Sequence, residues 1–182
     1  MIGQLPKSLE VDGAEYPIHS DFRVALLIFQ AFNDVELSSF DKTVVCLECL
    51  YETVPENTQE AYAKAIWFLD GGDTPKPKKA PKKLMDWEQD ESIIFPALNK
   101  AAGYETRAVE YLHWWSFLGL FNEIGEGLYS QVMNIRAKKA KNKKLEKWER
   151  EFYNEHRELV DLQKKFTVEE QEEMERIKQL LD

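Results

Sequence analysis

The sequence predicts a mainly α-helical fold, a helical domain with a short N-terminal β-hairpin and a long C-terminal helical arm. Three observations carry that expectation. Apolar residues recur at helical spacing in segments separated by proline and glycine. Asp12-Gly13, between Leu9-Glu10-Val11 and Ala14-Glu15-Tyr16, is a pair suited to a type I′ hairpin turn. Beyond residue 140 the chain becomes densely charged yet keeps a helical period. With 182 residues, 43% of them apolar and 12% aromatic, the chain can fill one core with an arm appended.

Taken in order, Val11, Tyr16 and Ile18 give the hairpin an apolar side that must lie against helices, because two strands alone are marginal. Ser20 is placed to cap a helix from Asp21 to about Phe32, with Phe22, Ala25, Leu26, Phe29 and Phe32 inward. A second helix spans about Ser39 to Thr53 and stops before Pro55. A third starts at Asn57 or Thr58 and ends at Gly71-Gly72. Asp86 caps the next, which Pro96 kinks or restarts and Gly103 ends. The aromatic run Tyr111-Leu112-His113-Trp114-Trp115-Ser116-Phe117-Leu118-Gly119-Leu120-Phe121 reads as a helix from about Val109 to Ile124, enclosed by its neighbours.

Leu128 to about Ala140 forms another helix, and Lys143 to Gln163 one long amphipathic helix with Leu145, Trp148, Phe152, Leu159 and Leu162 on its seam. Thr167 and Glu170 make a capping box for an acidic closing helix that carries Val168, Met174 and Ile177. The organisation is therefore a hairpin plus helical half over 1–72, a Lys/Pro-rich extended linker over 73–83, an aromatic helical half of the same domain over 84–140, and an arm over 141–182.

The formal charge of −9 is unevenly placed. Residues 75–83 hold five lysines and no acid, and 136–165 hold 11 bases against 6 acids. Residues 166–182 return to 6 acids against 2 bases. A net acidic chain argues against general nucleic-acid binding, and the basic stretch Arg136 to Lys147 is where that reading would have to rest. The longest apolar run is too short for a bilayer, which takes roughly 20 residues, and the N-terminus lacks the apolar stretch of a secretory signal. The expectation is a protein that stays in the cytoplasm.

Chemistry-bearing residues are sparse. Cys46 and Cys49 form a C-x-x-C pair inside an apolar helical segment, with no second pair and no histidine nearby, so they read as packing residues. His113 has only Glu110 and Ser116 about one helical turn away, which leaves a hydrogen-bonded core histidine as the reading. No phosphate loop, nucleophile elbow or H-E-x-x-H helix is present. Catalytic, cofactor-binding and metal residues are all expected to be none. The partner-binding candidates are Trp148, Phe152 and Leu159 on the arm, with Arg136 and Lys139 beside it.

An ordered set of short motifs adds a resemblance. It runs through Gln4-Leu5-Pro6, Glu15-Tyr16-Pro17-Ile18, Asp21-Phe22-Arg23, Asp86-Trp87-Glu88-Gln89-Asp90, Tyr111 to Phe117 and Asn134-Ile135-Arg136. Over about Met1 to Leu162 these resemble the tailed-phage and prophage family known as gene product fifteen. The resemblance implies a tail-assembly chaperone of long, non-contractile-tailed phages, working in the host bacterial cytoplasm. It implies no catalysis and no cofactor. The implied partners are the tape-measure protein and the major tail-tube protein, with self-association left open. Rival readings are a nucleic-acid-associated phage protein, using Arg136, Lys138, Lys139, Lys141, Lys143 and Lys144, and a structural head–tail or tail component of the virion.

Overall fold

The computed structural model describes residues 3–73 and 82–181, without the side chains of 175, 180 and 181. It is mainly helical. The antiparallel hairpin β1 (Ser8–Val11) and β2 (Ala14–Pro17) is followed by α1 (Phe22–Asn33), α2 (Ser39–Leu50), α3 (Thr58–Leu69) and α4 (Glu91–Ala102). A 3₁₀ turn at Thr106–Ala108 leads to α5 (Trp114–Asn122), α6 (Leu128–Ala140), α7 (Lys147–Glu155), α8 (Arg157–Val160) and α9 (Val168–Leu181). Asp12 and Gly13 both take positive φ, as the predicted turn requires. Leu9 and Val11 are buried, and β1 rests on α3. Of the Lys/Pro-rich linker, residues 74–81 lie outside the described part.

Two apolar clusters hold the helices together. The larger joins the hairpin, α1, α2, α3, α4 and α5, and at its centre Phe22 stacks on Phe117 with ring centroids 4.7 Å apart. The smaller consists of Ile93, Val132, Ile135 and Val160, overlaid by Leu145, Phe152 and Leu159 among others.

Three helix boundaries differ here from the sequence expectation, and each has a cause in hydrogen bonding. Asp21, not Ser20, caps α1, while the Ser20 hydroxyl bonds Tyr111 Oη at 2.8 Å. The second helix ends at Leu50 because residues 51 and 52 turn to pair with the end of the hairpin: Tyr51 bridges Ile18, and Glu52 N–H donates to Pro17 O. Asp86 does gather the N–H groups of Glu88 and Gln89, but only over one turn, and the helix proper starts after Asp90. It then runs through Pro96 without restarting.

The aromatic helix starts at Trp114 rather than near Val109. Residues before it are drawn into an extended pairing with the entry to α1: Phe22 N–H donates to Leu112 O, Leu112 N–H to Asp21 Oδ2, and Trp114 N–H to Ser20 O. Arg23 fixes the same strip by donating to the carbonyls of Arg107 and Val109. His113 is the helix N-cap, its Nδ1 accepting from Trp115 N–H at 3.0 Å. That leaves Nε2 as the protonated nitrogen, donating to Pro6 O at 2.9 Å. The following two indoles close the end of α3, Trp114 Nε1 donating to Leu69 O and Trp115 Nε1 to Phe68 O. Gly72 makes this approach feasible: at φ +87° a Cβ there would sit 2.9 Å from Trp115 Cη2.

The predicted long helix over Lys143 to Gln163 is broken twice. His156 leaves helical geometry between α7 and α8, and the chain departs from α8 at Asp161. Tertiary bonds take the place of the missing helical ones. Arg136, with a 4% exposed side chain, uses all five of its N–H groups. Nε donates to Val160 O, Nη1 to Leu84 O and Asp90 Oδ2, and Nη2 to Asp90 Oδ1 and Leu159 O. Asp90 is fully buried, also accepts Asp86 N–H, and makes no side-chain cap bond to α4.

Two predictions follow from these bonds. Asp90→Ala strands a buried guanidinium and should cost about 3–5 kcal/mol in a denaturant midpoint measurement. Arg136→Lys should also be costly, since an ammonium has three donors for five acceptors; a change within about 0.5 kcal/mol would contradict the five-bond geometry. His113 gives a pH dependence. Burial holds its imidazole below the ordinary value of 6.5, opposed by the Pro6 carbonyl and helped by the Lys7 charge. The stabilisation is therefore complete above the unfolded-state value and declines as pH falls below it towards the folded value. Unfolding midpoints taken from pH 8 to pH 5 should decrease, and His113→Asn, which keeps a capping side chain, should flatten that slope.

Candidate partner-binding groove

The residues that carry chemistry in other folds are inward and occupied here. His113 is 2% exposed, with both ring nitrogens engaged. Cys46 is fully buried, and burial, with a smaller contribution from Cys49, pushes its thiol up to about 12; Cys49 is half-buried and also raised, first by burial and then by the Glu48 charge. Among the described residues no three His, Cys, Asp or Glu side chains are grouped as a metal site, and no helix is long and apolar enough to cross a membrane.

The five partner-binding candidates are not brought together on one face. Arg136 is locked to Asp90 and to the arm, and Lys139 pairs with Asp161 while lying over the Tyr153 ring. Phe152 and Leu159 are half-buried against the smaller apolar cluster. Trp148 alone faces outward, 46% exposed, with its indole N–H on Glu146. In the basic stretch, Lys138 is likewise engaged, with the buried Glu149 at 2.6 Å. Lys141, Lys143 and Lys144 remain exposed.

A groove that the sequence reading did not single out lies between α4 and the turn from α5 into α6. Its volume is about 480 Å³. Ile93, Pro96, Ala97 and Ala101 form one wall, and Ile124 and Leu128 face them across it. The wall follows from helix geometry, since positions 93, 96, 97, 100 and 101 share one face. Small residues on that face keep the groove open, and Gly125 and Gly127 leave the opposite turn without bulk. Pro96 adds a polar feature: lacking an N–H, it leaves Ser92 O, at the groove wall, without its helical donor.

The rim carries Lys100, Glu123 and Glu126, and the lysine ammonium donates to Glu126 O at 3.2 Å. With that cation held by a carbonyl, both rim carboxylates face solvent. Tyr129 closes the inner end, its hydroxyl donating to Met85 Sδ. Leu128 at the mouth is 46% exposed. The arrangement offers an apolar floor and an acidic margin, features suited to binding. A shallower depression continues from Glu126 and Gly127 along Ser130, Gln131 and Asn134 to Trp148. The one sequence signal for the groove was the recurrence of small residues on a proline-containing helix, which packing against a neighbour would explain equally well.

No curated protein and no solved structure matches the chain. The family described as Bacteriophage Gp15 protein matches residues 1–162, which spans the hairpin through α8 and stops short of α9. The motifs that carried the resemblance fall at the joints of the fold: Asp21 and Arg23 against the strip before α5, His113 against Pro6, Asp90 against Arg136. With most of its length so matched, the chain belongs to the Bacteriophage Gp15 protein family, and is a phage protein.

Proposed function

We propose that this phage protein is a non-enzymatic tail-assembly chaperone that holds an apolar helical segment of a tape-measure or tail-tube protein in the α4–α6 groove, within the host cytoplasm. The observation that carries the reading is the groove itself, open to solvent with an apolar floor and carboxylates on its margin. An apolar groove between helices suits one face of a partner helix, read by side chains at i, i+3 and i+4. Acidic margins favour a segment with lysine or arginine flanking its apolar stripe. A tape-measure protein is long and helical, and its apolar faces are uncovered until the tube polymerises around it; such faces promote association unless covered. A cover with net charge −9 adds solubility to what it covers. One groove of this size buries little area, so its hold is displaceable by tube subunits.

Co-expression with tape-measure fragments tests this. The fragments should become more soluble and co-purify with the wild-type chain. Ala97→Trp fills the groove and Leu128→Asp places a charge at its mouth, and each should weaken capture about 10- to 100-fold, the worth of roughly one buried apolar side chain. Wild-type protein that neither solubilises nor retains any fragment would sink the chaperone reading. Undiminished capture by both variants would remove the groove from it.

A further inference from the structure

The depression that continues from the α4–α6 groove has a volume of about 330 Å³ and ends on Trp148, an exposed tryptophan held in place by its neighbours. Glu149, next to it on α7, is fully buried and accepts Asn134 Nδ2 at 3.1 Å, Lys138 Nζ at 2.6 Å and Glu146 N–H at 2.8 Å. These bonds seat the start of α7 on α6. The Trp148 indole N–H donates to Glu146 Oε2 at 3.1 Å, so the polar edge of the ring is satisfied and its π faces are what it offers. Charge around the ring is negative. Glu126 lines the same depression with an exposed side chain, and Lys100 meets that residue through its backbone carbonyl. Glu146 is exposed as well, and Lys138, 3.6 Å from it, is held more closely by Glu149. Among the described residues no lysine or arginine lines the depression, and Lys147 reaches towards Glu151 instead.

We infer that this depression is a subsite for an arginine of the partner helix that occupies the α4–α6 groove. The inference rests on the groove reading and adds a second anchor to it, with its chemistry and its place. A guanidinium is planar, so it stacks on the indole face while its N–H groups reach the carboxylates of Glu126 and Glu146. An ammonium would supply the charge without the stacking. The wall between the two anchors is polar, formed by Ser130, Gln131 and Asn134, and an apolar side chain pressed there would take amides and a hydroxyl out of water for little return. The ring is already fixed before a partner arrives, which lowers the ordering cost of the contact. Spacing follows from α6 itself. From Gly127, its N-cap, to Asn134 the helix advances about 10 Å, or two turns. A partner helix lying along α6 therefore carries its arginine about seven residues from the apolar side chain it places beside Leu128.

The test is a double-mutant cycle between the full chain and a captured tape-measure fragment. Each arginine and lysine of the fragment is changed to glutamine in turn. Affinity for the wild type, Trp148→Ala, Trp148→Phe and Glu126→Gln is then read from the fluorescence anisotropy of the dye-labelled fragment. On the wild type, one arginine should account for about a 5- to 10-fold loss of affinity. That loss should vanish on Trp148→Ala, shrink on Glu126→Gln and persist in part on Trp148→Phe, which keeps a π face. Capture that Ala97→Trp weakens, but in which no arginine is coupled to Trp148, overturns the subsite and leaves the groove reading standing. Coupling confined to a lysine overturns the assignment to arginine. A wild-type chain that captures no fragment overturns both readings together.

Discussion

The arrangement of the C-terminal half depends on one buried ion pair. Asp90 and Arg136 lie at 0% and 4% side-chain exposure and meet through two bonds, while the other guanidinium donors reach three backbone carbonyls from the 84 and 159–160 segments. An ion pair this deep usually gains little over apolar packing, because removing both charges from water costs about as much as their attraction returns. Here the pair does something that apolar residues could not. The carbonyls of Leu84, Leu159 and Val160 lie where no helix continues, and an apolar replacement would leave them without donors. The guanidinium thereby joins the start of α4, the middle of α6, the end of the linker and the end of α8 at one point.

A second joint orders the N-terminal half by similar means. Asp21 caps α1 and also receives Leu112 N–H, Arg23 fastens the strip before α5, and His113 caps α5 while binding Pro6 O. The aromatic run can then stack Phe117 on Phe22 and lay two indoles over the last carbonyls of α3. Polar side chains set the positions of the helix ends, and the aromatic rings fill the volume between them. That division explains why a run so rich in tryptophan and phenylalanine provides no exposed aromatic groove: Trp114 and Phe117 are both within 1% of full burial.

Because the aromatic face is closed, surface for a partner lies at the edges of the packing. The α4–α6 groove exists where small residues on α4 meet a glycine-containing turn, and α9 lies beyond the part of the chain that the family covers. These two features differ in chemistry, one an apolar floor with an acidic margin and the other a helix rich in glutamate.

Periodicity and turn chemistry by themselves determined the helical class, the hairpin at Asp12-Gly13, the extent of α6 and the capping box at Thr167, all of which arise from interactions within a few residues. The burial of His113 and Cys46 was also legible, because neither had partners in sequence for other chemistry. What the sequence left open was decided by groups far apart along it. Asp21 and Leu112 are 91 residues apart, and Asp90 and Arg136 are 46 apart, yet these contacts set where α5 begins and where the arm breaks. The same holds for the groove, whose two walls come from separate helices and whose signature on either one alone is ordinary packing. Local propensity can propose a helix, but where it ends is settled by whichever donors and acceptors tertiary structure brings to its termini.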